Sequence, residues 1–146
     1  FGPFSAFPSP EALAKVSEEE FRELKVGFRA PYLVDAISKV MSMEVDLKTI
    51  ETMSTDEARA LLLKIKGVGR KVADCVLLFG YHRMDVFPVD VWMRRVVSQL
   101  YFENEKVTDA QMLSFAKEKF GQLSGIGQQY LFYGTVDSKK SLKQHK

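Results

Sequence analysis

The chain has 146 residues, 46% of them hydrophobic and 27% charged, and a net charge of only +2. That is the length and composition of one folded domain, neither disordered nor polybasic, so any nucleic-acid contact must come from local clusters of Lys and Arg. One cysteine, Cys75, and two distant histidines, His82 and His145, exclude an internal disulfide, a zinc site and an iron–sulfur cluster.

The elements read as helices almost throughout, which predicts an all-α fold. Ser9-Pro10-Glu11 opens the first, with an N-cap, a proline at the first helical position and an acid behind it. Ser17 and Glu20 form a capping box ahead of Phe21, Leu24 and Phe28 on one side, with Gly27 as the stop. Residues 30–43 carry Leu33, Ile37, Val40 and Met41 as an amphipathic helix, and 47–53 form another short one. A second capping box, Ser54 with Glu57, starts a helix through Ala58, Leu61, Leu62 and Ile65 that Gly67 and Gly69 break.

A new helix runs from Arg70 to Phe79, Gly80 ends it, and residues 81–88 form a loop. Asp90 then caps a helix through Val91, Arg94, Val97 and Leu100, and Thr108 with Gln111 caps another that ends at Phe120-Gly121. Gly125 and Gly127 lead into a last helix, Gln128 to about Val136. No strand, repeat or linker is visible. The expected organisation is a helical domain over 1–137, with a hairpin at 62–80, and a basic tail over 138–146. No apolar run approaches the roughly 18 residues of a membrane span and no signal-peptide pattern opens the chain, so the expectation is an intracellular, non-secreted protein.

Four motifs carry chemistry. In Lys64-Ile65-Lys66-Gly67-Val68-Gly69-Arg70-Lys71 the glycines allow positive φ and close approach of another backbone. Amides freed at such a turn, beside a helix N-terminus, make an anion site surrounded here by four cations. On the turn alone, a plain corner with solvated lysines is an equal reading. Lys71 lies in the first turn of a helix, an unfavourable place for an ammonium, and a neutral amine is what attack on a sugar C1′ requires; a solvated surface lysine is the plainer reading. Cys75, at i+4, shares its face, as a core residue would too. Asp90 is either a structural cap or an ionised carboxylate able to stabilise an oxocarbenium ion or shuttle a proton. Gln128 and Phe132, four apart, put an amide beside an aromatic face, which suits reading and stacking a base and equally suits a surface glutamine over a core ring.

Together these residues resemble the helix–hairpin–helix DNA glycosylases, closest to the 8-oxoguanine DNA glycosylase/AP lyases. The likeness runs through Phe7-Pro8-Ser9, Gly27-Phe28-Arg29-Ala30-Pro31-Tyr32, the stretch Leu62 to Cys75, Phe87-Pro88-Val89-Asp90-Val91 and Gly127 to Phe132, in order over nearly the whole chain. It implies a DNA-repair enzyme acting as a monomer on double-stranded DNA that contains 8-oxoguanine, with no membrane partner and no cofactor for the chemistry. Lys71 is then the nucleophile and Asp90 the stabilising carboxylate. Cys75 and Phe132 sandwich the flipped base, Gln128 bonds its Watson–Crick edge and Met93 lines the pocket. Gly67, Val68, Gly69, Arg70 and Trp92 meet the DNA backbone. The carbonyls of Leu63, Ile65 and Val68 hold a monovalent or calcium ion.

The chain departs from that pattern at three places. Trp92 stands where many relatives have a phosphate-binding histidine, and Gly127 where an alanine is usual. The strand-rich N-terminal domain, which in the family supplies the carbonyl that tells 8-oxoguanine from guanine, is missing, as is the asparagine-bearing segment. With Phe1 in place of an initiator methionine, the reading is a fragment completed by an N-terminal domain and possessing the catalytic pair without being competent alone. Two alternatives stand beside it: a glycosylase of the same superfamily with another base specificity, and a non-catalytic module that only grips the DNA backbone. The second has no use for Lys71, Asp90, Cys75, Gln128 and Phe132 together.

Overall fold

Most helices start where a side chain is available to accept the amides left unpaired in a first turn. The computed structural model describes residues 6–103 and 105–143, with side chains through Thr135. All regular elements among them are helical. They are α1 (Pro10–Leu13), α2 (Glu18–Glu23), α3 (Ala30–Met41), α4 (Thr55–Leu62), α5 (Arg70–Gly80), α6 (Val91–Tyr101), α7 (Asp109–Phe120) and α8 (Ser124–Lys143), with short 3₁₀ turns between some of them. No helix among the described residues is long and apolar enough to cross a membrane.

The three capping boxes form as expected. The Glu20 amide donates to the Ser17 hydroxyl at 3.2 Å while the Ser17 amide donates to Glu20 at 2.8 Å. Ser54 with Glu57 and Thr108 with Gln111 repeat the arrangement. Asp90 accepts the Met93 amide at 2.6 Å and starts α6. Each cap is worth about 0.5–2 kcal/mol, enough to fix where a helix begins.

The chain divides into two compact units, Phe1–Gly69 and Arg70–Lys146. The division falls inside the glycine hairpin. In the first unit α3 packs against α1 and α2, and Phe21, Ala30, Val45, Ile50, Ala58, Leu62 and Ile65 are buried. In the second, α8 packs against α6 and α7 over a core of Phe87, Met93, Val97, Val107, Met112 and Ala116.

Several elements differ from the sequence expectation. α2 stops at Glu23 because Lys25 turns to φ 61°, so Leu24 and Phe28 stay 71% and 66% exposed and never complete an apolar face with Phe21. The helix expected over 47–53 contracts to a 3₁₀ turn, Thr49–Glu51, which buries only Ile50. α3 ends at Met41, ahead of Met43 at φ 62°.

The last helix differs most. Gly125 and Gly127 are not a lead-in turn but lie inside α8, which begins at Ser124. They are small because something stands against them. A Cβ on Gly125 would collide with the Leu78 side chain and reach within 3.2 Å and 3.3 Å of the Val86 and Met84 carbonyls. One on Gly127 would come to 2.6 Å from the Phe120 ring. The Gly125 amide donates to the Met84 carbonyl at 2.7 Å, tying the start of α8 to the 81–88 loop. α8 also runs past Val136 to Lys143, into the stretch read as a basic tail; residues 144–146 lie outside the described residues.

Candidate active site

α5, the loop before α6, and α8 enclose a cleft of about 260 Å³ within the second unit. Its walls are Lys71, Cys75, Phe79, Pro88, Asp90, Gln128, Gln129, Phe132 and Tyr133. Five residues picked from the sequence for separate chemical reasons, Lys71, Cys75, Asp90, Gln128 and Phe132, thus face one space.

The local reasons are simple. Lys71 and Cys75 are one helical turn apart on α5, and Phe79, a further turn on, extends the same stripe. The other face of α5 buries Ala73, Asp74, Leu77 and Leu78. Lys71 itself is exposed and Cys75 half-buried. Asp90 is set by Val86, Phe87 and Pro88, all buried, and by its own capping bond. Its backbone carbonyl accepts the Arg94 amide at 3.0 Å, so both the main chain and the carboxylate of Asp90 are tied to α6. Phe132 packs on the core cluster and lies edge-on to Tyr133, with ring centres 5.6 Å apart. Gln128 is 6% exposed and its side-chain oxygen accepts from Gln129 at 2.5 Å.

Two expected site residues are placed elsewhere. Met93 is fully buried in the core cluster and is not among the residues lining the cleft. It sits third in α6 on the side facing Phe87 and Val97, where an apolar chain gains most by leaving water. The indole N–H of Trp92, the one donor that side chain has, is given to the Thr135 hydroxyl at 3.3 Å, and that hydroxyl donates back to the Leu131 and Phe132 carbonyls. Trp92 therefore ties α6 to α8 with the group that would otherwise reach a phosphate.

Four wall residues were not foreseen: Phe79, Pro88, Gln129 and Tyr133. Phe79 was readable, since it continues the Lys71/Cys75 spacing. Gln129 and Tyr133 are likewise four apart, but a parallel stripe beside Gln128/Phe132 offers no reason to prefer it.

The hairpin's glycines serve different ends. Gly67 has φ +81°, and a Cβ there would collide with the Tyr32 ring. Gly69 has no positive φ, and a Cβ there would meet nothing within 4 Å. The expectation of positive φ thus holds for Gly67 and not for Gly69. Val68 is partly exposed, and its amide donates to the Ile65 carbonyl at 3.0 Å. The Lys66 amide donates to Asp35 at 2.7 Å, and the Lys39 ammonium donates to the Lys64 carbonyl at 2.6 Å. The Lys66 amide, and after it the Lys39 ammonium, hold the Asp35 carboxyl below the usual carboxylate range. At the start of α5, the half-exposed Arg70 has its Nε 3.6 Å from the buried Asp74 carboxylate.

Known proteins share this fold. MBOgg1, solved in complex with a low-affinity DNA ligand, superposes with a TM-score of 0.89 at 45% identity, over 93% of this chain and 47% of that one. The Clostridium acetobutylicum 8-oxoguanine glycosylase/lyase, crystallised with double-stranded DNA containing cytosine opposite 8-oxoguanine, gives 0.86 at 38% identity, over 93% of this chain and 47% of that one. The probable N-glycosylase/DNA lyase of Methanothermobacter thermautotrophicus is 36% identical over 148 residues, 88% of this chain and 47% of that protein. The chain spans about half the length of these relatives. The pattern describing HhH-GPD superfamily base excision DNA repair proteins matches residues 1–122, and the all-helical architecture agrees with it: the chain belongs to the HhH-GPD superfamily.

Proposed function

We propose that the protein is a bifunctional DNA glycosylase/AP lyase that removes 8-oxoguanine from duplex DNA, and that Lys71 and Asp90 carry the reaction. The observation behind this reading is the single cleft lined by Lys71, Asp90, Cys75, Gln128 and Phe132. A backbone-binding module needs no such cleft.

In the reaction, the damaged nucleotide turns out of the duplex, at a cost of a few kcal/mol that enclosure in the pocket offsets. The Lys71 amine gives its lone pair to C1′. The N-glycosidic bond breaks, its electrons leave with the base, and a proton passes to the departing base. The Asp90 carboxylate faces the positive charge that grows on the sugar and, in its capped position, needs no reorganisation to do so. Loss of the lysine proton and breakage of the C1′–O4′ bond, with a proton passing to O4′, open the sugar ring and give a Schiff base at C1′. Removal of a C2′ proton then expels the 3′ phosphate and nicks the strand. Cys75 and Phe132 cover the two faces of the base, and Gln128 hydrogen-bonds its edge.

The hairpin fits a phosphate grip. Gly67 is explained by Tyr32, whereas among the described residues nothing requires Gly69 to be glycine, and open space at its Cα suits a backbone arriving from outside. The amides of Gly67 and Gly69 and the cation of Arg70 are the groups offered; the amide of Val68, expected with them, is spent on the Ile65 carbonyl. An ion at the hairpin would be held by the carbonyls of Leu63, Ile65 and Val68. Ile65 already spends one lone pair on the Val68 amide, and among the described residues no group of three or more His, Cys, Asp or Glu stands together. Neutral carbonyls alone suit a weakly held monovalent cation; calcium takes about six to eight oxygens, usually with carboxylates. Such an ion would add positive charge facing a phosphate.

The test is strand cleavage by the full-length protein on matched duplexes containing 8-oxoguanine, an abasic site or an alkylated base. Nicking at 8-oxoguanine without added alkali is the expected result. Release of the alkylated base only would assign another specificity. Binding without cleavage of any duplex would leave a non-catalytic module.

A further inference from the structure

One face of α3 grips the hairpin at three points. Tyr32, Asp35 and Lys39 stand at i, i+3 and i+7, a single helical stripe. Tyr32 lays its ring against Gly67. Asp35 accepts the Lys66 amide at 2.7 Å and the Lys39 ammonium at 3.0 Å. Lys39 in turn donates to the Lys64 carbonyl at 2.6 Å. Both charged side chains are largely covered, at 21% exposure for Lys39 and 26% for Asp35.

The arrangement has an electrostatic logic. A segment with two glycines loses more conformational freedom on ordering than any other, so a hairpin left loose would take that cost out of its affinity for a ligand. Fixing Lys64 and Lys66 through the backbone removes the cost beforehand and leaves the amides after Lys66 uncommitted to α3. A bare carboxylate at an anion-binding turn would repel phosphate. The Lys39 ammonium on Asp35 cancels that charge, so the turn is ordered without acquiring a negative field.

We propose that Tyr32, Asp35 and Lys39 are positioning residues, which hold the hairpin in the shape that binds a DNA phosphate. This rests on the reading of the hairpin as a phosphate grip. The three residues touch neither base nor sugar, so they act on duplex affinity and not on the chemical step.

The experiment measures, on the full-length protein, the Kd for undamaged duplex at fixed salt, the single-turnover nicking rate on 8-oxoguanine duplex at saturating enzyme, and the melting midpoint. Asp35→Ala and Lys39→Met are expected to weaken Kd on the order of tenfold, with the saturated nicking rate close to wild type and a fall in midpoint too small to account for the lost affinity. Lys39→Arg, which can still donate to Asp35 and Lys64, restores affinity. Asp35→Asn, which can still accept the Lys66 amide, weakens it less than Asp35→Ala.

Unchanged Kd in both Asp35→Ala and Lys39→Met overturns the proposal. So does a loss of affinity that only tracks a falling midpoint, or a loss of nicking rate at saturation with Kd intact. A wild type that binds duplex but never nicks it defeats the lyase reading, while the affinity comparison among variants still decides the clamp.

Discussion

Replacing Asp90 by asparagine separates a cap from a catalyst. The carboxylate accepts the Met93 amide at 2.6 Å, and asparagine caps helices about as well as aspartate. The variant keeps that bond and loses only the favourable placement of an anion at a helix N-terminus, about 0.3–1 kcal/mol. Alanine at the same position loses the bond as well, a further cost of about 1 kcal/mol. If the carboxylate also acts on the reaction, its removal lowers the rate by about 10²–10⁴, or roughly 3–5 kcal/mol of barrier. The predicted signature is therefore a dissociation between two scales. Asp90→Asn melts within about 4 °C of wild type and Asp90→Ala several degrees lower, while both lose the same several kcal/mol of activity. Single-turnover nicking of an 8-oxoguanine duplex with enzyme in excess measures the second scale, and thermal melting the first. A nicking rate for Asp90→Asn within about threefold of wild type would make Asp90 a structural cap and refute its place in the reaction.

The packing and electrostatics yield further expectations. Gly125→Ala forces a methyl against Leu78 and two carbonyls, so urea denaturation should report a loss of about 1–3 kcal/mol; an unchanged midpoint would contradict the close approach of α8 to the 81–88 loop. Trp92→Phe removes the bond to Thr135 and should cost about 0.5–1.5 kcal/mol of stability without weakening DNA binding. A duplex Kd weaker by about tenfold with an unchanged midpoint would instead make Trp92 a phosphate contact. The carboxyls of Glu20, Glu57 and Asp35 are all held low, chiefly by the Ser17 amide, the Ser54 hydroxyl and the Lys66 amide respectively. Groups depressed in this way stabilise the fold above their unfolded values and lose that contribution as pH falls through the folded ones. Urea midpoints should thus decline between about pH 5 and pH 3, less so in Asp35→Asn, and a flat profile would count against these bonds.

Local chemistry was the most legible part of this chain. Ser17/Glu20, Ser54/Glu57, Thr108/Gln111 and Asp90 marked four helix starts because a cap bonds within three residues and needs nothing from the rest of the fold. The stripe of Lys71 and Cys75, and that of Gln128 and Phe132, were readable for the same reason: helical spacing is a local rule. Contacts between elements were not. Gly125 and Gly127 carry the same letter as a turn glycine, and only Leu78 and Phe120 standing against them reveal that they serve close packing. Met93 is a pocket residue only through the family resemblance, and the Phe87 core claims it. The bond from Trp92 to Thr135 joins residues 43 apart, and the grip of Asp35 on Lys66 spans 31. No periodicity in the sequence carries either.

The central claim is that Lys71 makes a covalent bond to the sugar. Borohydride added during reaction of the full-length protein with an 8-oxoguanine duplex reduces a Schiff base to a stable secondary amine. Digestion and mass spectrometry then locate it. The account predicts one protein–DNA adduct, mapped to Lys71 in the peptide that also contains Cys75 and abolished by Lys71→Gln with duplex affinity retained. An adduct mapped to another amine, or one formed equally well by Lys71→Gln, would contradict it.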